Sequence, residues 1–251
     1  EIFHKDRNLF QTASYLLFEN FYICPGYSIV GMKKSLIAAI FVLSSVAAAA
    51  QLPNFAPTVG NGVVYGYTLV KYHTGANAWE TSSSMQYGIS NYFQTGIALH
   101  TAPGVAQMGY IARGGYSFSD YFKVGGQLMP AFDLNDKYKF CYLASALFLN
   151  GKITRDGKLI WVTNTWIESN KKLQTAGQAT YLGYNVTLPG ERHLLTPMAG
   201  ILHSWRFDQP ADLAVGCYYT RRNVFLYLWT NNLLTGQPGI LVTVEFAFKN
   251  K

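Results

Sequence analysis

The chain has 251 residues, 20 Lys+Arg against 13 Asp+Glu, and only 13% charged residues with 16% aromatics. A water-soluble globular protein ordinarily carries about a quarter charged residues, so a fully hydrated exterior is disfavoured. After residue 50 no stretch of eighteen uncharged residues has helical character, which argues against a helical membrane protein as well.

Residues 1–31 contain no methionine, start at Glu1 and show no clear period. They are expected to be upstream nucleotide sequence translated in frame, with a genuine N-terminal extension as the alternative. From Met32 the chain reads MKKSLIAAIFVLSSVAAAA. Lys33 and Lys34 form a positive n-region, and Leu36 to Val46 is an apolar run of eleven residues. Ala48-x-Ala50 supplies the small residues of a signal-peptidase site. This three-part pattern predicts a secretory signal over 32–50, its apolar core being too short to remain as a spanning helix. A short anchor helix is the competing reading, and no Leu-Ala-Gly-Cys box marks a lipoprotein. Cleavage leaves 201 residues with 16 basic and 10 acidic side chains, a net charge of +6, enough for one domain over 51–251.

The mature part alternates with the two-residue period of strands. Trp79, Thr81, Ser83, Met85, Tyr87 and Ile89 share one face; Glu80, Ser82, Ser84, Gln86 and Gly88 share the other. Thr95, Ile97 and Leu99 likewise oppose Gln94, Gly96, Ala98 and His100. In the next two segments Met108, Tyr110, Ala112, Tyr116 and Phe118, then Phe122, Val124, Leu128 and Phe132, form an apolar outward set. Gln107, Gly109, Arg113, Gly115 and Ser117, then Lys123, Gly125, Gln127 and Ala131, form a small, wet inward set. Ser90-Asn91-Tyr92-Phe93-Gln94-Thr95-Gly96 is echoed by Ser119-Asp120-Tyr121-Phe122-Lys123-Val124-Gly125. Each copy joins two alternating segments, as tight turns beside an aromatic girdle would.

Strands are predicted near 62–73, 78–90, 93–102, 106–118, 122–132, 137–150, 158–168, 173–188, 194–206, 212–221, 223–231 and 239–248. Turn residues separate them at Arg155-Asp156-Gly157, Pro189-Gly190-Glu191, Asp208-Gln209-Pro210 and Gln237-Pro238-Gly239. The fold class is therefore all-β: a closed antiparallel transmembrane barrel of about 12 strands, with 10 or 14 left open by weak alternation in 158–188. Only closure leaves every backbone N–H and C=O paired within a bilayer. Cys141 is expected inward and Cys217 outward, which disfavours a bridge between them.

The last segment places Ile240, Val242, Val244, Phe246 and Phe248 outward, with Thr243 and Glu245 inward. Here the chain resembles the bacterial outer-membrane β-barrel proteins, whose final strand alternates apolar residues and closes on an aromatic. The resemblance implies residence in the cell outer membrane, contact with its lipid, and recognition by the barrel-assembly machinery. Lys249-Asn250-Lys251 after Phe248 depart from that ending.

Candidate chemistry is sparse. His203 and Ser204 are adjacent and so face opposite ways, whereas His100 could face Ser84 or Gln86 across a strand pair; nucleophilic catalysis needs such a pairing. Asp133 and Asp136 fall in an outer loop as turn formers. No His/Cys/Asp cluster has metal-ligand spacing, so neither metal nor cofactor is expected. Gly114-Gly115 and Gly125-Gly126 lie within strands, where they would relieve wall curvature. Scattered Lys and Arg form no nucleic-acid stripe.

The predicted lumen is more informative. Arg113, Lys123 and Lys139 point inward on neighbouring strands, with Gln86, Gln107 and Gln127 between them and Glu245 as the main inward acid. Rings of Lys and Arg favour anions, so the expectation is a narrow passive channel for small, anionic solutes, without enzymatic activity. Alternatives are a non-conducting structural or adhesion barrel whose cations pair with Glu80 and Glu245, and a barrel enzyme such as a lipase. N-terminal sequencing of membrane-extracted protein should yield Gln51; finding Glu1 or Met32 intact in most molecules would contradict the signal-peptide reading.

Overall fold

The computed structural model describes residues 55–169, 174–189, 193–205, 211–234 and 236–249. The proposed leader, residues 1–50, and the Asp208-Gln209-Pro210 turn lie outside them. Among the described residues thirteen strands run in chain order: β1 Val63–His73, β2 Ala78–Gly88, β3 Phe93–Ala102, β4 Val105–Ser117, β5 Lys123–Asp133 and β6 Lys139–Lys152. After them come β7 Leu159–Ser169, β8 Gln174–Tyr184, the short β9 Val186–Thr187, β10 His193–Ser204, β11 Asp212–Arg221, β12 Val224–Asn231 and β13 Gly239–Lys249. Each long strand pairs antiparallel with the next, and β13 returns to pair with β1 from Val63↔Lys249 to His73↔Gly239. The result is a closed barrel of twelve strands, with β9 as an added pairing on β10.

The connections follow from local chemistry. Pro103-Gly104 turns β3 into β4 in two residues, with Gly104 at φ 76°. Proline presets the first turn position and glycine accepts the left-handed second, as a type II turn requires. The two copies of the internal repeat build one turn twice. Ile89 N–H donates to Phe93 O and Phe118 N–H to Phe122 O, while Ser90 and Ser119 hydroxyls accept from the amides of Tyr92 and Tyr121. Both turns lie at the end where β1 begins and β13 finishes, hereafter the terminal end; the other is the distal end.

Alternation sorts the faces as the period of two demands. Trp79, Leu128 and Leu228 stand 60%, 53% and 61% exposed on the outside, beside Tyr110, Ile201 and Val242. So large an apolar exterior would be an aggregation surface in water and is what a lipid core covers. At the terminal end it becomes aromatic: Tyr92 on Tyr116, Tyr116 on Phe118, Phe118 on Phe122 and Phe122 on Trp161, with centroids 4.8–6.5 Å apart. Such rings suit the membrane interface.

One expectation about faces fails, at β6. Ala131 pairs with Tyr142 but Phe132 with Phe140, so Cys141 is an extra residue in a bulge. The bulge resets the alternation: Tyr142, Ala144 and Phe148 face inward, and Cys141 does not share their face as expected. Cys141 and Cys217 form no disulfide.

Arginine at Leu128, near mid-strand on the outer face, should destabilise the barrel by roughly 2–4 kcal/mol. The same substitution at Gln127, one residue away on the inner face, should cost clearly less. Urea titration in detergent checks this, and equal costs would contradict the assigned faces.

Candidate functional site: a lumenal chamber

Along β1 the inward side chains run Tyr65, Tyr67, Leu69, Lys71 and His73 from terminal to distal end, and they cross three zones. At the terminal end lies a cavity of about 530 Å³. The middle is an apolar layer of Leu69, Tyr181, Met198, Tyr218, Trp229 and Leu241, all buried. The distal zone holds buried charge: Lys71 opposite Glu80, with His73 Nε2 2.8 Å and His100 Nδ1 3.9 Å from the Glu80 carboxylate.

The chamber gathers five of the seven residues singled out above: Gln86, Arg113, Lys123, Gln127 and Glu245. Arg113 lies 4.3 Å above the Phe148 ring. Glu245 accepts a hydrogen bond from the Tyr227 hydroxyl and another from Tyr65. Gln86 Oε1 accepts from Gln94 Nε2 and its amide donates to Ser84, so the amides form a chain across β2 and β3. Two lining cations besides Arg113 stand nearer the terminal mouth. Lys152 lies 2.6 Å from Asp120, and that hydrogen bond holds the Asp120 carboxyl below the usual carboxylate range. Lys123 makes no ion pair among the described residues.

Two expected residues lie elsewhere. Lys139 stands at the distal rim, 63% exposed and 3.0 Å from Asp136. It follows Lys137 and Tyr138, both in left-handed backbone, and precedes the Cys141 bulge, so strand alternation does not carry it into the lumen. Gln107 does face inward, but it is buried against Tyr142, whose hydroxyl reaches its Oε1 at 3.4 Å, away from the chamber. The alternative reading pairs the inward cations with Glu80 and Glu245, and Arg113 does lie within electrostatic reach of Glu245. Glu80 belongs to the distal histidines and Lys71, and Glu245 is held by tyrosines.

Sequence reasoning missed the segment just before β1. Residues 55–59 enter the lumen and form part of the chamber wall. The Arg113 guanidinium donates to Pro57 O at 2.9 Å and to Ala56 O, while Val59 N–H donates to Gln94 Oε1 at 2.6 Å. Phe55 packs edge-on against Tyr218 at 4.8 Å. A signal was present: Gly88, Gly115 and Gly125 all fall on the inward face. A Cβ at Gly88 would meet Gly60 O at 1.7 Å, and one at Gly115 or Gly125 would meet Pro57 at 2.5 or 3.0 Å. These glycines make room for a crossing chain, which accounts for them better than wall curvature.

Ser82 pairs opposite His100, and Glu80 shares their face. The grouping has the residue types of an acyl-transfer site, but all three side chains are buried and none lines the chamber. No set of three or more His, Cys, Asp or Glu side chains among the described residues is placed to hold a metal.

No family model matches the chain, and no curated protein matches its sequence. Solved structures do. A KdgM porin superposes with a TM-score of 0.57 at 12% identity, over 74% of this chain and 99% of that one. A KdgM porin in complex with disordered oligogalacturonate gives 0.53 at 11% identity, over 74% and 99%. A NanC porin structure in a rhombohedral crystal form gives 0.51 at 11% identity, over 74% and 100%.

The apolar middle layer carries its own test. Trp229 is 2% exposed and packs against Tyr181 and Tyr218 at 5.3 and 5.8 Å. Trp229→Ala should lower unfolding free energy by about 3–5 kcal/mol. A loss under about 1 kcal/mol would show that this layer is loosely filled. What the chain shares with its structural neighbours is the fold, the closed transmembrane β-barrel of outer-membrane porins.

Proposed function

We propose that this barrel is a passive outer-membrane channel of narrow bore for small anionic solutes. The observation that carries the reading is the chamber, where Arg113, Lys123 and Lys152 outnumber Glu245 and Asp120 amid tyrosines and amides. Cations set in a confined low-dielectric wall concentrate anions. Tyrosine hydroxyls and amides add hydrogen bonds for hydroxyl- or carboxylate-bearing molecules. The porin fold supports passage, and a neighbour with bound oligogalacturonate supports an acidic solute. Beyond the chamber a solute must pass the layer around Leu69, Tyr181 and Trp229, which limits the bore to small species.

That same layer favours a second reading, a barrel that binds solute at one end without conducting. Leu69, Tyr181 and Leu241 are at most 1% exposed, and twelve strands is near the size at which side chains can fill the interior.

Reversal potential across a planar bilayer separates the readings. Replacing Arg113, Lys123 and Lys152 together by Gln should shift selectivity toward cations, and added salt should blunt the wild-type preference by screening. Lys139→Gln, at the distal rim, should shift it far less. Clear conductance indifferent to the triple substitution would defeat the anion preference, and absence of conductance from every form of the barrel would favour the one-ended reading.

A further inference from the structure

We infer that residues 55–60 are a built-in plug, seated where an anionic solute would meet Arg113; the inference rests on the channel reading above. The lumenal arginine at this level is already met by two backbone carbonyls, Ala56 O and Pro57 O. Carbonyl oxygens aimed at a guanidinium occupy the donors that a carboxylate would otherwise take as a bidentate pair, so strap and solute compete for one group. The seat is matched to the strap. Gly115 and Gly125 lie on adjacent strands and lack the side chains that would collide with Pro57, and Gly88 leaves room for Gly60 O.

The anchorage is of the strength a plug needs. Apart from Arg113, polar contacts between strap and wall among the described residues include Val59 N–H to Gln94 and Thr58 hydroxyl to Asn91 O at 2.8 Å, with Asn61 N–H just beyond the strap donating to Asn91 Oδ1 at 3.1 Å. The last two are exposed to solvent, where such bonds contribute little net stability. Phe55 on Tyr218 supplies the apolar contact and joins the strap to the middle layer. Among the described residues no strand pairs with 55–60, so withdrawal breaks no barrel hydrogen-bond ladder there. When the strap leaves, Arg113 turns its donors to the lumen and the chamber widens from the terminal end.

Bilayer recordings on the full chain test this with three variants. Gly125→Val presses on the strap, since the three atoms nearest a Cβ there all belong to Pro57. Phe55→Ala removes the strap's ring from Tyr218 and leaves every strand side chain in place. Thr58→Cys with Asn91→Cys, in a Cys141→Ser/Cys217→Ser background, pins it when oxidised. Conductance should rise severalfold in the first two, with stronger anion preference, and should rise on reduction of the pinned form. If wild type conducts but all three match it under both redox conditions, the strap is no plug and the channel reading survives. If no form conducts, the channel reading fails and the plug fails with it. Heat-modifiable migration confirms folding, and Phe55→Ala keeps the test intact if Gly125→Val does not fold.

Discussion

The pairing of β1 with β13 is the constraint on which the rest of this structure depends. A sheet in lipid cannot leave an edge, because each unpaired backbone group there costs several kcal/mol. Eleven consecutive partners, Val63↔Lys249 through His73↔Gly239, remove the two edges that a twelve-strand meander would otherwise expose. The same seam fixes the lumen. It sets Leu69 beside Thr243 and Tyr67 beside Glu245, and so places that acid of the chamber wall among tyrosines rather than beside the distal histidines. A shift of one residue at the seam would exchange inward and outward sides and bring Val242 and Val244 into the lumen.

With closure given, the interior is divided by what each strand contributes at each level. Aromatics from β8, β11 and β12 meet Leu69 and Leu241 in mid-barrel, where they bury area as a soluble core does. Charged side chains gather at the two ends, and each set is arranged differently. The distal set brings Lys71, His73 and His100 around Glu80, with a second buried acid, Glu168, on β7. The terminal set keeps an excess of cations and admits a strand-free stretch of backbone as a partner for one of them.

The fold was legible because alternation is a consequence of the pleat and survives without any alignment. Every long strand could be placed within a few residues, and the repeat at Ser90 and Ser119 marked real, equivalent turns. Failures have local causes. Lys139 and Cys141 were misassigned because a bulge leaves no trace in a period-two pattern. Lys152 was overlooked because β6 runs two residues past the point where alternation weakens. Residues 55–59 carry no period, being neither strand nor helix, and only the inward glycines hinted at them. Which inward residues share a cavity depends on strand stagger around the barrel, a property of the closed sheet that no single segment contains.

Amide hydrogen exchange of the folded protein in micelles tests the central claim, closure through β1 and β13, most directly. The account predicts that amides of Leu69, Val70, Val242 and Thr243 are protected as strongly as those of the β4–β5 pair, since all belong to one cooperative ladder. Rapid exchange along β1 and β13, with β4 and β5 still protected, would mean an open sheet and would contradict the barrel.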